Sequence, residues 1–195
     1  MMIKKRILWI TQTALFLGLT VASQYYLTAL LGGPGNPASQ IVVGSLANLF
    51  LILSTLTCGF WSGASIGFLA SFIALSLGRL PHVWLLPFIA LGNIAIVFVF
   101  WLICRKKIIG GSFTVRWAAA SILGSLLKFG VLWFGVTQIC LKLILNSALK
   151  PPQIEMLTFT FSFPQLATAL TGSILAYMIY PVLKKVIIEK TINAK

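Results

Sequence analysis

Long apolar runs separated by short polar joints most strongly restrict what this chain can fold into. A run of about 20 apolar residues can cross the hydrocarbon core of a bilayer as an α-helix, which satisfies its backbone polar groups internally. Hydrophobic residues fill 59% of the 195 positions and charged residues only 9%, whereas soluble domains carry about 25% charged residues. The sequence therefore predicts an all-α integral membrane protein, in which one helical bundle occupies residues 1–195.

Six transmembrane helices fit these runs and joints. Their predicted bounds are about 7–31, 40–58, 60–77, 84–104, 115–145 and 156–183. The first run follows Lys4, Lys5 and Arg6, as the core of a signal peptide does, but it continues to Leu31 and so has the length of a retained spanning helix. The fifth segment is longer than a bilayer requires, and Pro164 interrupts the sixth near its start.

The distribution of Lys and Arg predicts how the helices are oriented. Six crossings put both termini on one side of the membrane. Eleven of the 15 basic residues fall on that side and three on the other, with Lys128 assigned to neither. Loops rich in Lys and Arg stay in the cytoplasm, so both termini are predicted to be cytoplasmic. The eleven are Lys4, Lys5, Arg6, Arg105, Lys106, Lys107, Arg116, Lys184, Lys185, Lys190 and Lys195, and the three are Arg79, Lys142 and Lys150.

Lys128 lies near the middle of the fifth apolar run. A Lys at mid-bilayer costs about 2.5 to 3.5 kcal/mol even on insertion-based scales, and such residues usually face a cavity and have a partner. The chain has only two acidic side chains, Glu155 and Glu189, and both fall in segments predicted as loop or tail. Lys128 is therefore either neutral, hydrogen-bonded to amide and hydroxyl groups, or available to an anion from outside the chain.

Two amide side chains share the predicted depth of Lys128. Asn93 and Gln165 each lie about nine residues from the outer end of their helix, or about 13 Å deep at about 1.5 Å per residue. The three polar side chains predict a binding site that opens to the outside. Three aromatic residues just outward of it are candidates for stacking on a flat ring: Trp133, Phe161 and Phe163. The alternative is a structural polar network that only joins helices four to six.

The first helix carries a row of small residues. Ala14, Gly18 and Ala22 recur every four positions and so lie on one helical face. Such a flat face lets another helix pack closely against it. That helix belongs either to the same chain or to a partner subunit.

The sequence offers little for catalysis or for metal binding. Its three Cys residues, Cys58, Cys104 and Cys140, are far apart, and one His with two acids assembles no metal or acid–base centre. We therefore predict neither an enzyme nor a bound cofactor. The net charge of +13 is explained by juxtamembrane Lys and Arg, so no nucleic-acid partner is predicted. The chain also lacks the Walker A pattern G-x-x-x-x-G-K-[ST], so it cannot hydrolyse ATP alone.

Taken together, these features resemble the substrate-binding S component of an energy-coupling factor (ECF) vitamin transporter. The resemblance covers nearly the whole chain: six helices, a basic start and three local motifs. The motifs are Ala14-x-x-x-Gly18, Pro87-Phe-Ile-Ala-Leu-Gly-Asn93, and Phe163-Pro-Gln-Leu-Ala-Thr-Ala169 before Gly172. The family has Ala where this chain has Gly18, a change that keeps the helix face flat.

The resemblance implies a function, partners and a location. It implies a multi-pass protein of the bacterial plasma membrane that captures a vitamin or related small molecule from outside with high affinity. Loops one, three and five and helices four to six would bind the substrate, which places Lys128, Asn93 and Gln165 in its site. The implied partners are a transmembrane T component, facing Ala14, Gly18 and Ala22 on helix one, and two cytoplasmic ATPases.

Two other classes of function stay open from the sequence. A self-sufficient secondary carrier or channel usually shows an internal repeat or intramembrane acids for ion coupling, and we find neither. A structural membrane subunit that packs through its small residues would need no ligand. The sequence does not name the ligand, and an anionic or carbonyl-rich ring compound fits the predicted site.

Overall fold

The computed structural model describes residues 2–145 and 149–193, with side chains from 6 to 145 and from 149 to 186. Within these ranges all regular secondary structure is helical, as the sequence predicts. The helices are α1 (residues 2–30), α2 (Pro37–Cys58), α3 (Phe60–Ser76), α4 (Val83–Arg105), α5 (Phe113–Ile144), α6 (Pro151–Thr160) and α7 (Phe163–Asn193). Three of them change locally to π-helical winding, at Ser23–Leu27 in α1, Trp101–Arg105 in α4 and Trp133–Ile144 in α5.

Five helical segments of the described chain are long and apolar enough to cross a membrane. They are Arg6–Leu30, Pro37–Cys58, Val83–Arg105, Phe113–Ile144 and Pro151–Val186, the last of which joins α6 to α7. Helix α3 is apolar but has only 17 residues. The fold therefore has the character of a multi-pass membrane protein.

Local sequence sets the helix ends. The side chain of Asn36 accepts a hydrogen bond from the backbone N–H of Ala38 at 2.9 Å and caps α2, and Pro37 follows at the first helical position. Gly59 has a φ of +110°, a conformation that favours glycine, and separates α2 from α3. The hydroxyl of Ser112 accepts a hydrogen bond from the N–H of Val115 at 3.3 Å and caps α5.

The last membrane segment begins earlier than the sequence predicts. Residues 151–155 were expected in a loop, because two prolines stand there, but they form the start of α6. Prolines are tolerated in a first helical turn, where the missing N–H would have no intrahelical partner. The predicted interruption near Pro164 lies at Phe161 and Ser162, and Pro164 itself is the second residue of α7.

The helices surround two apolar clusters at different depths. Helix α2 packs against α1, α3, α4 and α7, while α5 packs between α4 and α7. One cluster includes Ile96, Trp117 and Ala169, and the other includes Leu85, Leu132 and Phe161. Along α4, α5 and the α6–α7 segment, Asn93, Lys128 and Gln165 each fall between a member of one cluster and a member of the other. A polar layer therefore separates the two halves of the core.

Candidate functional site

Lys128 is buried within this polar layer, with 4% of its surface exposed. Its Nζ donates hydrogen bonds to Asn48 Oδ1 at 2.6 Å and to Asn93 Oδ1 at 2.8 Å. Both partners are neutral amides. Glu155 is exposed on α6, and the side chain of Glu189 lies outside the described residues. Protonated Lys128 has three N–H donors, so these two bonds leave one donor for a further acceptor.

Other hydrogen bonds orient the two asparagines toward Lys128. Asn48 Nδ2 donates to the carbonyl of Gly44 at 2.9 Å on its own helix. Asn93 Nδ2 donates to the carbonyl of Gly67 at 3.2 Å and to Ser71 Oγ at 3.4 Å, both on α3. Because each amide nitrogen is engaged by an acceptor, each amide oxygen is left to face the ammonium group.

Glycines on neighbouring helices make room for both asparagines. A Cβ added at Gly67 would lie 2.9 Å from the Cβ of Asn93, and one added at Gly172 would lie 2.6 Å from the Cβ of Asn48. Small residues of this kind allow close approach of membrane helices. The position of Lys128 therefore depends on close packing of α3 against α4 and of α2 against α7.

Lys128 lies in the wall of a cavity with a volume of about 130 Å³, which we call the inner chamber. Each of the six long helices α1 to α5 and α7 contributes a polar side chain to this wall. These side chains are Gln24, Asn48, Ser71, Asn93, Lys128 and Gln165. The Oε1 atom of Gln24 is buried and accepts no hydrogen bond from the described residues. The chamber is thus a site to which each of these six helices contributes a polar group.

A second cavity of about 220 Å³, the outer chamber, adjoins the inner one. It is lined by Pro34 and Gly35 before α2, by Gly78 and Pro81 between α3 and α4, and by the α6 region. The two chambers share five wall residues, which are Pro34, Gln40, Arg79, Thr160 and Phe161. Two interhelical loops and the α6 region therefore continue the inner chamber toward the ends of the helices.

The structure brings together four of the six predicted substrate-site residues. Lys128, Asn93, Gln165 and Phe161 all line the inner chamber. Phe161 is 5% exposed because it lies at the break between α6 and α7 and turns into the bundle.

Trp133 and Phe163, which the sequence predicts just outward of Lys128, line neither chamber. Trp133 is 42% exposed, because five residues along a helix rotate its side chain about 140° away from that of Lys128. Phe163 is 74% exposed, and its ring lies 5.9 Å from that of Phe129.

Six polar wall residues were not among the predicted site residues: Gln24, Gln40, Asn48, Ser71, Arg79 and Thr160. Asn48 could have been found from the sequence, because its amide lies inside an apolar run. Arg79 was assigned to the outer surface as a topology charge, but it is partly buried and lines both chambers. Burial lowers the pKa of its guanidinium, which nonetheless stays protonated in proteins. No local pattern distinguishes it from other loop cations.

The small-residue face of α1 is exposed. Ala14, Gly18 and Ala22 all point away from the bundle, and a Cβ added at Gly18 would meet no described atom within 4 Å. Together with Tyr25 and Tyr26 these residues line a shallow surface groove. The interpretation that this face packs against another described helix of the same chain is therefore wrong.

Comparisons with protein-family models, with curated proteins and with solved structures found no match to this chain.

Proposed function

We propose that the chain is the substrate-binding S component of an ECF-type importer and captures a vitamin or related small molecule from outside the cell. The observation that carries this proposal is the inner chamber, where six helices converge on a buried Lys whose hydrogen-bond partners among the described residues are neutral amides. An intramembrane ionisable residue facing a cavity typically marks a site for substrate or ion. A pocket of mixed polar and apolar walls is also what small-molecule sites generally show.

The proposed topology has six crossings with both termini in the cytoplasm. Helix α3 then crosses as the shortest span, with 17 residues. The predicted inner side carries eleven of the 15 Lys and Arg residues, in keeping with cytoplasmic ends. The loops that line the outer chamber consequently face the exterior, where the substrate arrives.

Capture is proposed to proceed through the outer chamber into the inner one. The substrate passes these loops and the α6 region and reaches Lys128, where it accepts a hydrogen bond from the third N–H of the ammonium group. Gln24, Gln40 and Gln165 supply neutral donors and acceptors from the wall. Phe161 lies in the wall of both chambers and provides an apolar surface for a ring.

The exposed face of α1 is proposed to contact the transmembrane T component, with two cytoplasmic ATPases supplying the energy for release. Membrane helices associate through small residues that let backbones approach closely, and Ala14, Gly18 and Ala22 offer such a face. Its exposure supports this assignment, because these residues pack against no described part of the chain.

Ligand binding to the purified chain tests the proposal. A tight ligand present at about 1,000 times its Kd should stabilise the protein by about 4 kcal/mol, which a thermal-shift screen of vitamins and their precursors can detect. We expect one stabilising class of compound, and loss of the effect in Lys128→Met. Absence of any stabilising ligand would favour a purely structural subunit.

Transport by the chain alone separates capture from a self-sufficient carrier. In proteoliposomes that contain only this chain, we expect the ligand to bind without accumulating inside. Net uptake of the same ligand under an ion gradient would instead show a secondary carrier.

A further inference from the structure

The described walls of the two chambers contain two basic side chains and no acidic one. Lys128 lines the inner chamber, and Arg79 lines both chambers. Neither side chain forms a hydrogen bond or ion pair with a carboxylate among the described residues, and the two bonds of Lys128 go to amides. Among the described residues, no carboxylate therefore neutralises these two basic groups.

Such a wall distinguishes among ligands by charge. A cationic ligand would meet two like charges in a setting with little water to screen them, and it would find no carboxylate to bind. An anion would receive the free N–H donor of Lys128 and the planar donor fork of Arg79, which matches carboxylate and phosphate groups. The charge of the wall is complementary to an anion.

From this we propose that the ligand of the cavity is a small organic anion, whose carboxylate or phosphate group is bound by Lys128 and Arg79 together. The inference rests on the proposed function and names the chemical class of its substrate. Because Lys128 lines only the inner chamber whereas Arg79 lines both, the anionic group lies in the inner chamber, where both cations are in the wall.

The size of the site constrains the remainder of the ligand. The chamber volumes of about 130 and 220 Å³ are each below the volume of about 300 to 1,000 Å³ that small-molecule sites usually have. The predicted class is thus a compact anion.

Charge-matched probes test this class on the purified full-length chain. Suitable pairs are a carboxylate with its primary amide, such as nicotinate and nicotinamide, and a phosphate ester with its alcohol, such as pyridoxal phosphate and pyridoxal. Any compound that co-purifies with the chain is released by denaturation and identified by mass spectrometry. We expect the bound compound to be an anion, and the neutral member of any binding pair to bind about tenfold to a hundredfold more weakly.

Arg79→Gln tests the proposed role of Arg79 in binding the anion. Its control is a substitution that removes the same charge outside the chambers. Lys142→Gln is that control, because Lys142 is exposed on α5 and donates to Gln138 rather than to either chamber. Arg79→Gln should weaken binding of the anion about tenfold and leave binding of its neutral analogue unchanged, whereas Lys142→Gln should change neither. If Arg79 only supported the fold, both members of the pair would lose affinity together.

The possible outcomes separate this inference from the proposed function. A co-purified or tightly bound compound that is neutral or cationic would overturn the anion assignment and leave capture intact. Equal affinity of an anion for the wild-type chain and for Arg79→Gln would remove Arg79 from the site. If no compound co-purifies and no probe binds, both proposals fail.

Discussion

The interior of the bundle and the outer face of α1 use small residues in opposite ways. At Gly67 and Gly172 an added Cβ would lie within 2.9 Å and 2.6 Å of the Cβ atoms of the asparagines that hold Lys128. At Gly18 it would meet no described atom within 4 Å. Neighbouring side chains fill the space beside the inner glycines, whereas the space beside Gly18 is open. The same sequence pattern, small residues on a helix face, therefore serves both for internal packing and for a surface that can receive another helix. The two cases differ only in their contacts.

The largest expected difference between the two regions is in the stability effect of a bulky substitution. Gly172→Leu forces a side chain into the space of Asn48 and Ser45, and overpacking of this kind costs about 1 to 3 kcal/mol or more. Gly18→Leu should leave the melting temperature of the detergent-solubilised chain unchanged. Equal destabilisation by the two variants would show that the face of α1 is packed after all.

Lys128→Met should produce the largest loss of ligand affinity. One charge-assisted hydrogen bond at a buried site contributes about 1.5 to 3 kcal/mol, or about tenfold to a hundredfold in Kd. Removing the membrane charge offsets the loss of two bonds to asparagines, so the fold should persist. Isothermal titration calorimetry measures the Kd, with Lys142→Met as the control on the exposed surface. Unchanged affinity in Lys128→Met would show that the polar side chains of the chamber form a purely structural network.

Neutral wall residues should contribute less than Lys128. Asn93→Ala and Gln165→Ala each remove an uncharged hydrogen-bonding group, for which about 0.5 to 1.5 kcal/mol, or about twofold to tenfold in Kd, is expected. Asn48→Ala should resemble Asn93→Ala, because both amides accept from Lys128. If one of these variants lost more ligand affinity than Lys128→Met in the same titration, the centre of the site would lie away from Lys128.

The exposed aromatic residues should have the smallest effect. Trp133→Leu and Phe163→Leu change side chains that line neither chamber, so the Kd should change less than about twofold. Phe161→Leu is the matched comparison, because Phe161 lines both chambers and is 5% exposed. A strong loss of affinity in Trp133→Leu but not in Phe161→Leu would contradict the cavity described here.

Much of the fold was predictable, because bilayer thickness and apolar run length leave few choices. The depth of Lys128, Asn93 and Gln165 followed from counting residues along helices. The direction of side chains did not, since Trp133 lies on another face of α5 from Lys128 despite their proximity in sequence. Asn48 and Arg79 enter the site through the packing of α2 and the turn after α3. Those are tertiary features that spacing within one helix does not reveal.

The central claim is that capture and partner docking occupy separate surfaces of one bundle. Gly18→Leu tests it most directly when ligand affinity and cellular uptake are measured on the same variant, in cells that also hold the proposed T component and ATPases. Gly130→Leu is the matched control, because Gly130 is exposed on α5 and an added Cβ there also meets no described atom within 4 Å. The account predicts that Gly18→Leu binds ligand like the wild type but loses uptake, while Gly130→Leu retains both. Joint loss of binding and uptake in Gly18→Leu, or full uptake by it, would contradict the claim.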